Sequence, residues 1–158
     1  MDEQPNGAIA QIMVVDDDPD TVTVLARYLQ REGFATIEAM SGPQCLRLVD
    51  EYKVDVILLD LMMPEMDGFE VVRALKSNPA TAEIPIIMIT ARDDIEARSE
   101  GMRVGVSDFL AKPVFRKQLA NRIKAQLDTV ATARSIDDAL SRIEMGAETP
   151  NHQTADKK

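Results

Sequence analysis

The chain has 158 residues, 45% of them hydrophobic, enough for one domain with a packed core plus a tail but short for two ordinary domains. Its 18 basic and 27 acidic residues leave a net charge of −9 with no local Lys/Arg cluster, which argues against binding to nucleic acid. The single cysteine, Cys45, and the single histidine, His152 in a polar tail, argue against a disulfide framework, a Cys- or His-ligated metal, a catalytic triad and a phosphohistidine carrier.

No apolar run approaches membrane-spanning length, and the opening MDEQPNGA is acidic rather than a cationic signal segment, so the expectation is a soluble, cytoplasmic protein. After a flexible stretch over residues 1–8, strand-like and helix-like periods alternate five times. Ile12 to Val15 reads as the first strand. Asp18 then caps a helix with Pro19 at its first position, Val22, Leu25 and Leu29 on one face, and Gly33 as its stop. Phe34 to Ile37 is a weaker second strand. Ser41 to Gln44 has capping-box spacing and opens a helix that buries Cys45, Leu46 and Val49. Val54 to Leu59 is the third strand, and Asp67 to Glu70 repeats the capping pattern ahead of Val71, Val72 and Leu75. Ile84 to Ile89 is the fourth strand. Asp93 to Glu96 opens a helix with few apolar positions beyond Ile95 and Met102. Val106 to Leu110 is the fifth strand, and the last helix begins near Val114 with Leu119, Ile123 and Leu127 spaced by four.

This alternation predicts an α/β fold: a parallel sheet with helices on both faces, because right-handed crossovers place them there. Ligands of such sheets bind beyond the carboxyl ends of the strands. At those ends stand Asp16 and Asp17 after the first strand, Asp60 after the third, Thr90 after the fourth and Lys112 after the fifth. Two carboxylates about 5 Å apart repel by roughly 3 kcal/mol at an effective dielectric near 20, so the cluster calls for a positive partner. A divalent hard cation fits: Mg²⁺ takes a few carboxylate oxygens, keeps waters and accepts phosphate oxygens. Lys112 and Thr90 suit the remaining phosphate oxygens, and a carboxylate beside such a metal can itself be the nucleophile.

Taken singly, each residue has an ordinary explanation. A strand-end Asp is commonly a cap or turn former, and Asp18 and Asp67 fit that role. Lys112 alone is a solvated lysine, Cys45 a small buried hydrophobe, and the methionines of LMMPEM and IMIT are gap-fillers of a core. Scattered caps, however, would not all fall on one edge of a sheet.

The segments IMVVDDDP, VILLDLMMPEMDGFEVV, IPIIMITA and DFLAKP, spread over about residues 9–130, resemble the receiver domain of two-component response regulators. The resemblance implies a doubly wound, flavodoxin-like (βα)5 fold with a five-stranded parallel sheet in the order 2-1-3-4-5. It implies that Asp60 takes a phosphoryl group from the phosphohistidine of a sensor histidine kinase or phosphotransfer protein. Mg²⁺ (or Mn²⁺) would be held by Asp17, Asp60 and the backbone carbonyl of Met62, with Asp16 acting through water. Thr90 and Lys112 would contact the phosphoryl oxygens, Thr90 and Phe109 would form the switch, and the Lys112–Pro113 bond would be cis. The protein would then be a bacterial signalling module rather than an enzyme, catalysing only its own phosphorylation and dephosphorylation. Its output would go to a protein partner, or to a homodimer formed by the fourth helix, fifth strand and fifth helix or by the C-terminal extension.

Past Leu127 the apolar positions Val130, Ala133, Ile136, Leu140 and Ile143 continue with spacings of three and four, a heptad seam with one stammer near Ala133. Two readings stay open over 131–145: a continuous, dimerising helix, or a new short helix capped at Ser135 and stopped at Gly146. Residues 146–158 have no period and read as disordered. Two rivals remain for the whole: the input segment of a longer regulator, or a phosphatase of the haloacid dehalogenase type. The latter needs Asp-x-Asp followed by x-Thr or x-Val, whereas Pro19 and Asp20 follow Asp18 here, and it leaves Asp60 without a role.

Overall fold

In the computed structural model, which describes the backbone of residues 9–92 and 94–156 and the side chains of 9–92 and 94–144, strands and helices alternate throughout. The elements are β1 (Gln11–Val15), α1 (Pro19–Arg31), β2 (Ala35–Ala39), α2 (Gly42–Glu51), β3 (Val56–Leu59), α3 (Gly68–Lys76), β4 (Ile86–Thr90), α4 (Ile95–Val104), β5 (Asp108–Ala111) and α5 (Arg116–Asp156). The five strands form one parallel sheet in the order β2-β1-β3-β4-β5, the doubly wound flavodoxin-like arrangement. Every residue of β3 and β4 is buried, as the near-continuous apolar runs of a sheet covered on both faces require.

Register carries the sheet's geometry to its carboxyl edge. Val15 pairs with Leu59, so the next residues, Asp16 and Asp60, leave the sheet side by side, and the Asp60 N–H donates to the Val15 carbonyl at 3.0 Å. Thr90 pairs with Ala111, and the Lys112 N–H donates back to the Thr90 carbonyl at 3.0 Å.

The helix starts follow their caps. Asp18, Ser41 and Asp67 are the N-caps of α1, α2 and α3. Asp67 and Glu70 form a reciprocal capping box, at 2.9 and 3.0 Å. At α2 the box is half made: Ser41 accepts from the Gln44 N–H, but Gln44 reaches one residue further back, to the Met40 N–H. The cap of α4 is Asp94, which accepts from the Ala97 N–H at 2.7 Å; Asp93, read from the sequence as its start, lies outside the described residues.

β2 and β5 start later than the apolar runs suggest, because the ends of the preceding helices consume the first apolar residue. Gly33 and Gly105 adopt positive φ, and the Phe34 and Val106 N–H groups turn back to the Leu29 and Gly101 carbonyls. Phe34 and Val106 are buried through these closures, and pairing begins only at Ala35 and Asp108.

Two compact units divide the chain, residues 1–126 and 127–158. α5 runs unbroken to Asp156, with no break at Ser135 or Gly146. Residues 1–8 and 157–158, both expected to be flexible, lie outside the described residues. The seam read from Leu127 to Ile143 is divided: at 3.6 residues per turn Ile136, Leu140 and Ile143 share one side, while Leu127 and Val130 turn onto another. The first three are more than half exposed and the last two are partly buried.

Candidate functional site

The carboxyl edge gathers the predicted residues into one cleft. Carboxylate oxygens of Asp16, Asp17 and Asp60 lie within 4.8 Å of one another, Asp16 and Asp60 buried and Asp17 exposed. The Lys112 ammonium reaches across to them, donating to Asp16 Oδ2 at 2.9 Å and to Asp60 Oδ2 at 3.4 Å. Asp16 Oδ1 accepts from the Asp18 N–H, and Asp60 Oδ1 accepts from the Met62 N–H at 3.3 Å. Thr90, fully buried, accepts from the Arg92 N–H through its hydroxyl. Met62 itself is exposed, and the Lys112–Pro113 peptide is cis.

The electrostatics follow from this crowding. Burial, and after it the charge of Asp16, pushes the Asp60 carboxyl above its usual range, while Lys112 and the hydrogen bonds from Met62 and Thr90 pull the other way and lose. Burial alone would lower the Lys112 pKa, but its bond to Asp16 and the two carboxylate charges outweigh that and hold the ammonium more firmly protonated. The cleft therefore carries more negative charge than one lysine neutralises.

Two features of the site escape a reading of strand ends. Gly68, at the start of α3, has no room for a side chain: a Cβ there would sit 2.7 Å from the Asp60 carbonyl oxygen and 2.8 Å from the Leu61 Cα. The Asp67-Gly68 pair is visible in sequence as a turn and cap, but the approach to the Asp60 backbone is not. The second is the seat of Phe109. This buried ring on β5 has the Arg98 guanidinium carbon 5.0 Å from its centroid, and a Cβ at Gly101 would lie 3.3 Å from its edge. Beside the cleft, α1 and the turn after β5 line an open groove of about 460 Å³ with Val24, Leu25, Tyr28, Pro113 and Val114, and Lys112 is part of its wall.

Residues 12–124 match the response regulator receiver domain family. The chain belongs to that family. The receiver is 43% identical over 116 residues to the response regulator PleD of Caulobacter vibrioides, a match covering 73% of this chain and 26% of PleD. It is 39% identical over 132 residues to the DNA-binding response regulator MtrA of Mycolicibacterium smegmatis, covering 81% of this chain and 57% of MtrA. The chain thus spans about a quarter to just over half the length of these relatives. Among solved structures it is similar to the chemotaxis protein CheY4 of Vibrio cholerae, with a TM-score of 0.73 and 31% identity over 76% of this chain and all of that one. A receiver domain is a signalling domain of two-component systems, and the dehalogenase-type phosphatase reading falls away with the family match. Among the described residues no helix is long and apolar enough to cross a membrane.

Proposed function

We propose that this receiver accepts a phosphoryl group on Asp60 from the phosphohistidine of a sensor kinase or phosphotransfer protein. The observation that carries the proposal is the cleft itself: three carboxylates within 4.8 Å, a lysine shared between two of them and a buried threonine hydroxyl on the neighbouring strand. An Asp60 oxygen attacks phosphorus in line with the departing nitrogen. The P–N bond breaks, its electron pair stays on the imidazole, and Asp60 becomes an acyl phosphate with about one additional negative charge. Lys112 and Thr90 sit on the rim from which the incoming phosphoryl oxygens can be met, and no side chain need act as an acid or base.

The donor set fits Mg²⁺ or Mn²⁺, since all three side chains offer hard oxygens and their net charge exceeds what Lys112 offsets. Asp17 and Asp60, with the Met62 carbonyl, would hold the ion and Asp16 would act through water. Once bound it would neutralise charge on the transferring group. The groove beside Lys112 gives the donor protein an apolar footing next to the acceptor. Relocation of the Thr90 hydroxyl toward the phosphoryl group, with Phe109 moving into the space released, would pass the change to α4, β5 and α5.

Intact-mass analysis after incubation with acetyl phosphate and Mg²⁺ tests the assignment. One phosphoryl adduct is expected, dependent on Mg²⁺ and absent from Asp60→Asn; an adduct that persists in the variant overturns it. The same chemistry would serve a stand-alone receiver or the receiver segment of a longer regulator.

A further inference from the structure

Among the described residues, α4 buries only Ala97 and Gly101, and Ala97 belongs to the same hydrophobic cluster as Phe109. Of its larger apolar residues, Ile95 is 87% and Met102 73% exposed, while Val104 is partly buried against the same cluster. What ties this helix to the sheet is therefore narrow. Gly101 brings the helix backbone so near that any side chain would press on the Phe109 ring, and Arg98, one turn earlier, lays its guanidinium over that ring. A further tie to a neighbouring helix is the Arg73–Glu100 ion pair at 2.7 Å between α3 and α4, whose arginine is half exposed. Pairs of that exposure hold little.

We propose that Arg98 is a positioning residue: it holds Phe109 in its seat against Gly101 and, through the ring, sets how firmly α4 is seated. A guanidinium is attracted to the face of an aromatic ring, and the long arginine stem lies against whatever the ring leaves exposed. Because Gly101 offers no side chain, the ring and the helix backbone share one contact, so the position of one limits the other. The arrangement makes α4 a helix held by a narrow set of contacts, among them a ring and a cation, rather than by a broad buried apolar face. The link from this latch to phosphorylation rests on the proposed role of Asp60 and Phe109; the latch itself does not.

The test is hydrogen exchange by mass spectrometry on the full chain, following peptides that cover 95–104. Arg98→Met keeps the stem and removes the charge. Exchange in α4 should speed up by about two- to fivefold, the factor expected from an exposed cation–π contact, while exchange in α3 stays put. Arg98→Lys should recover part of the protection. Glu100→Ala is the counter-variant: if it loosens α4 and Arg98→Met does not, the ion pair holds the helix and the proposal is wrong. Beryllofluoride affinity in the presence of Mg²⁺ separates the latch from the switch. A matching rise in affinity in Arg98→Met supports both. Faster exchange with unchanged affinity supports the latch and overturns Phe109 as the switch residue, and unchanged exchange overturns the latch.

Discussion

α3 and α4 are neighbours of similar length, each opened by an aspartate N-cap after a strand that supplies a site residue, yet they are held in opposite ways. α3 starts on a complete capping box and buries Gly68, Phe69, Val71, Val72 and Leu75, so its position is fixed by both its end and its face. α4 has the cap but buries only Ala97 and Gly101. The contrast places rigidity and compliance on adjacent strands of one site: Asp60 precedes the anchored helix and Thr90 the lightly held one. A nucleophile has to be held still, whereas an element that reports a change has to move at small cost.

The contrast breaks first at single apolar side chains. Leu75→Ala should cost about 2–5 kcal/mol in a urea titration because it empties a fully buried site on α3. Met102→Ala on α4 should stay within about 0.5 kcal/mol, since that side chain is already in solvent. Comparable losses for the two would mean that α4 is as firmly packed as α3.

The two glycines sharpen the same comparison at smaller amplitude. Gly68→Ala should cost about 1–3 kcal/mol and weaken Mg²⁺ binding measured by titration, because the atoms in the way are the backbone of Asp60 and Leu61. Gly101→Ala meets only the edge of the Phe109 ring and gains about 1 kcal/mol of helix propensity, so it should be near neutral in stability.

One expected effect is a gain. Asp60 has its pKa raised, so the native state holds that proton more tightly than the unfolded chain, and ionised Asp60 opposes folding above the ordinary carboxylate range. In chelator at neutral pH, Asp60→Asn should melt higher than the wild type. The advantage should fade as pH falls through the raised Asp60 value toward that of a free carboxylate, where the wild type is protonated too. A variant less stable than the wild type in chelator would mean that Lys112 more than offsets the Asp16 charge.

Much of this was legible in the residues. The order of elements, the caps at Asp18, Ser41 and Asp67, the parallel sheet and the polar residues at its carboxyl edge follow from period, capping chemistry and the handedness of crossovers, all local or generic rules. Phe34 and Val106 were misread as strand because an apolar residue that closes a helix end has the same composition as one that begins a strand. Ile95 and Met102 stand out in α4 by hydrophobicity, but the fully buried residues are the small Ala97 and Gly101, the latter lying where an added Cβ would meet the Phe109 ring at 3.3 Å.

Sequence therefore determined the elements and the chemistry available at the strand ends, because those depend on neighbours within a few positions. Tertiary structure alone decided the distances: the register that sets Asp16 beside Asp60, the reach of Lys112 across both, the backbone contact that requires Gly68 and the Arg98 guanidinium over Phe109. Each of these joins residues far apart in the chain, and only the packed sheet and helices bring them within the few ångströms at which charge and contact act.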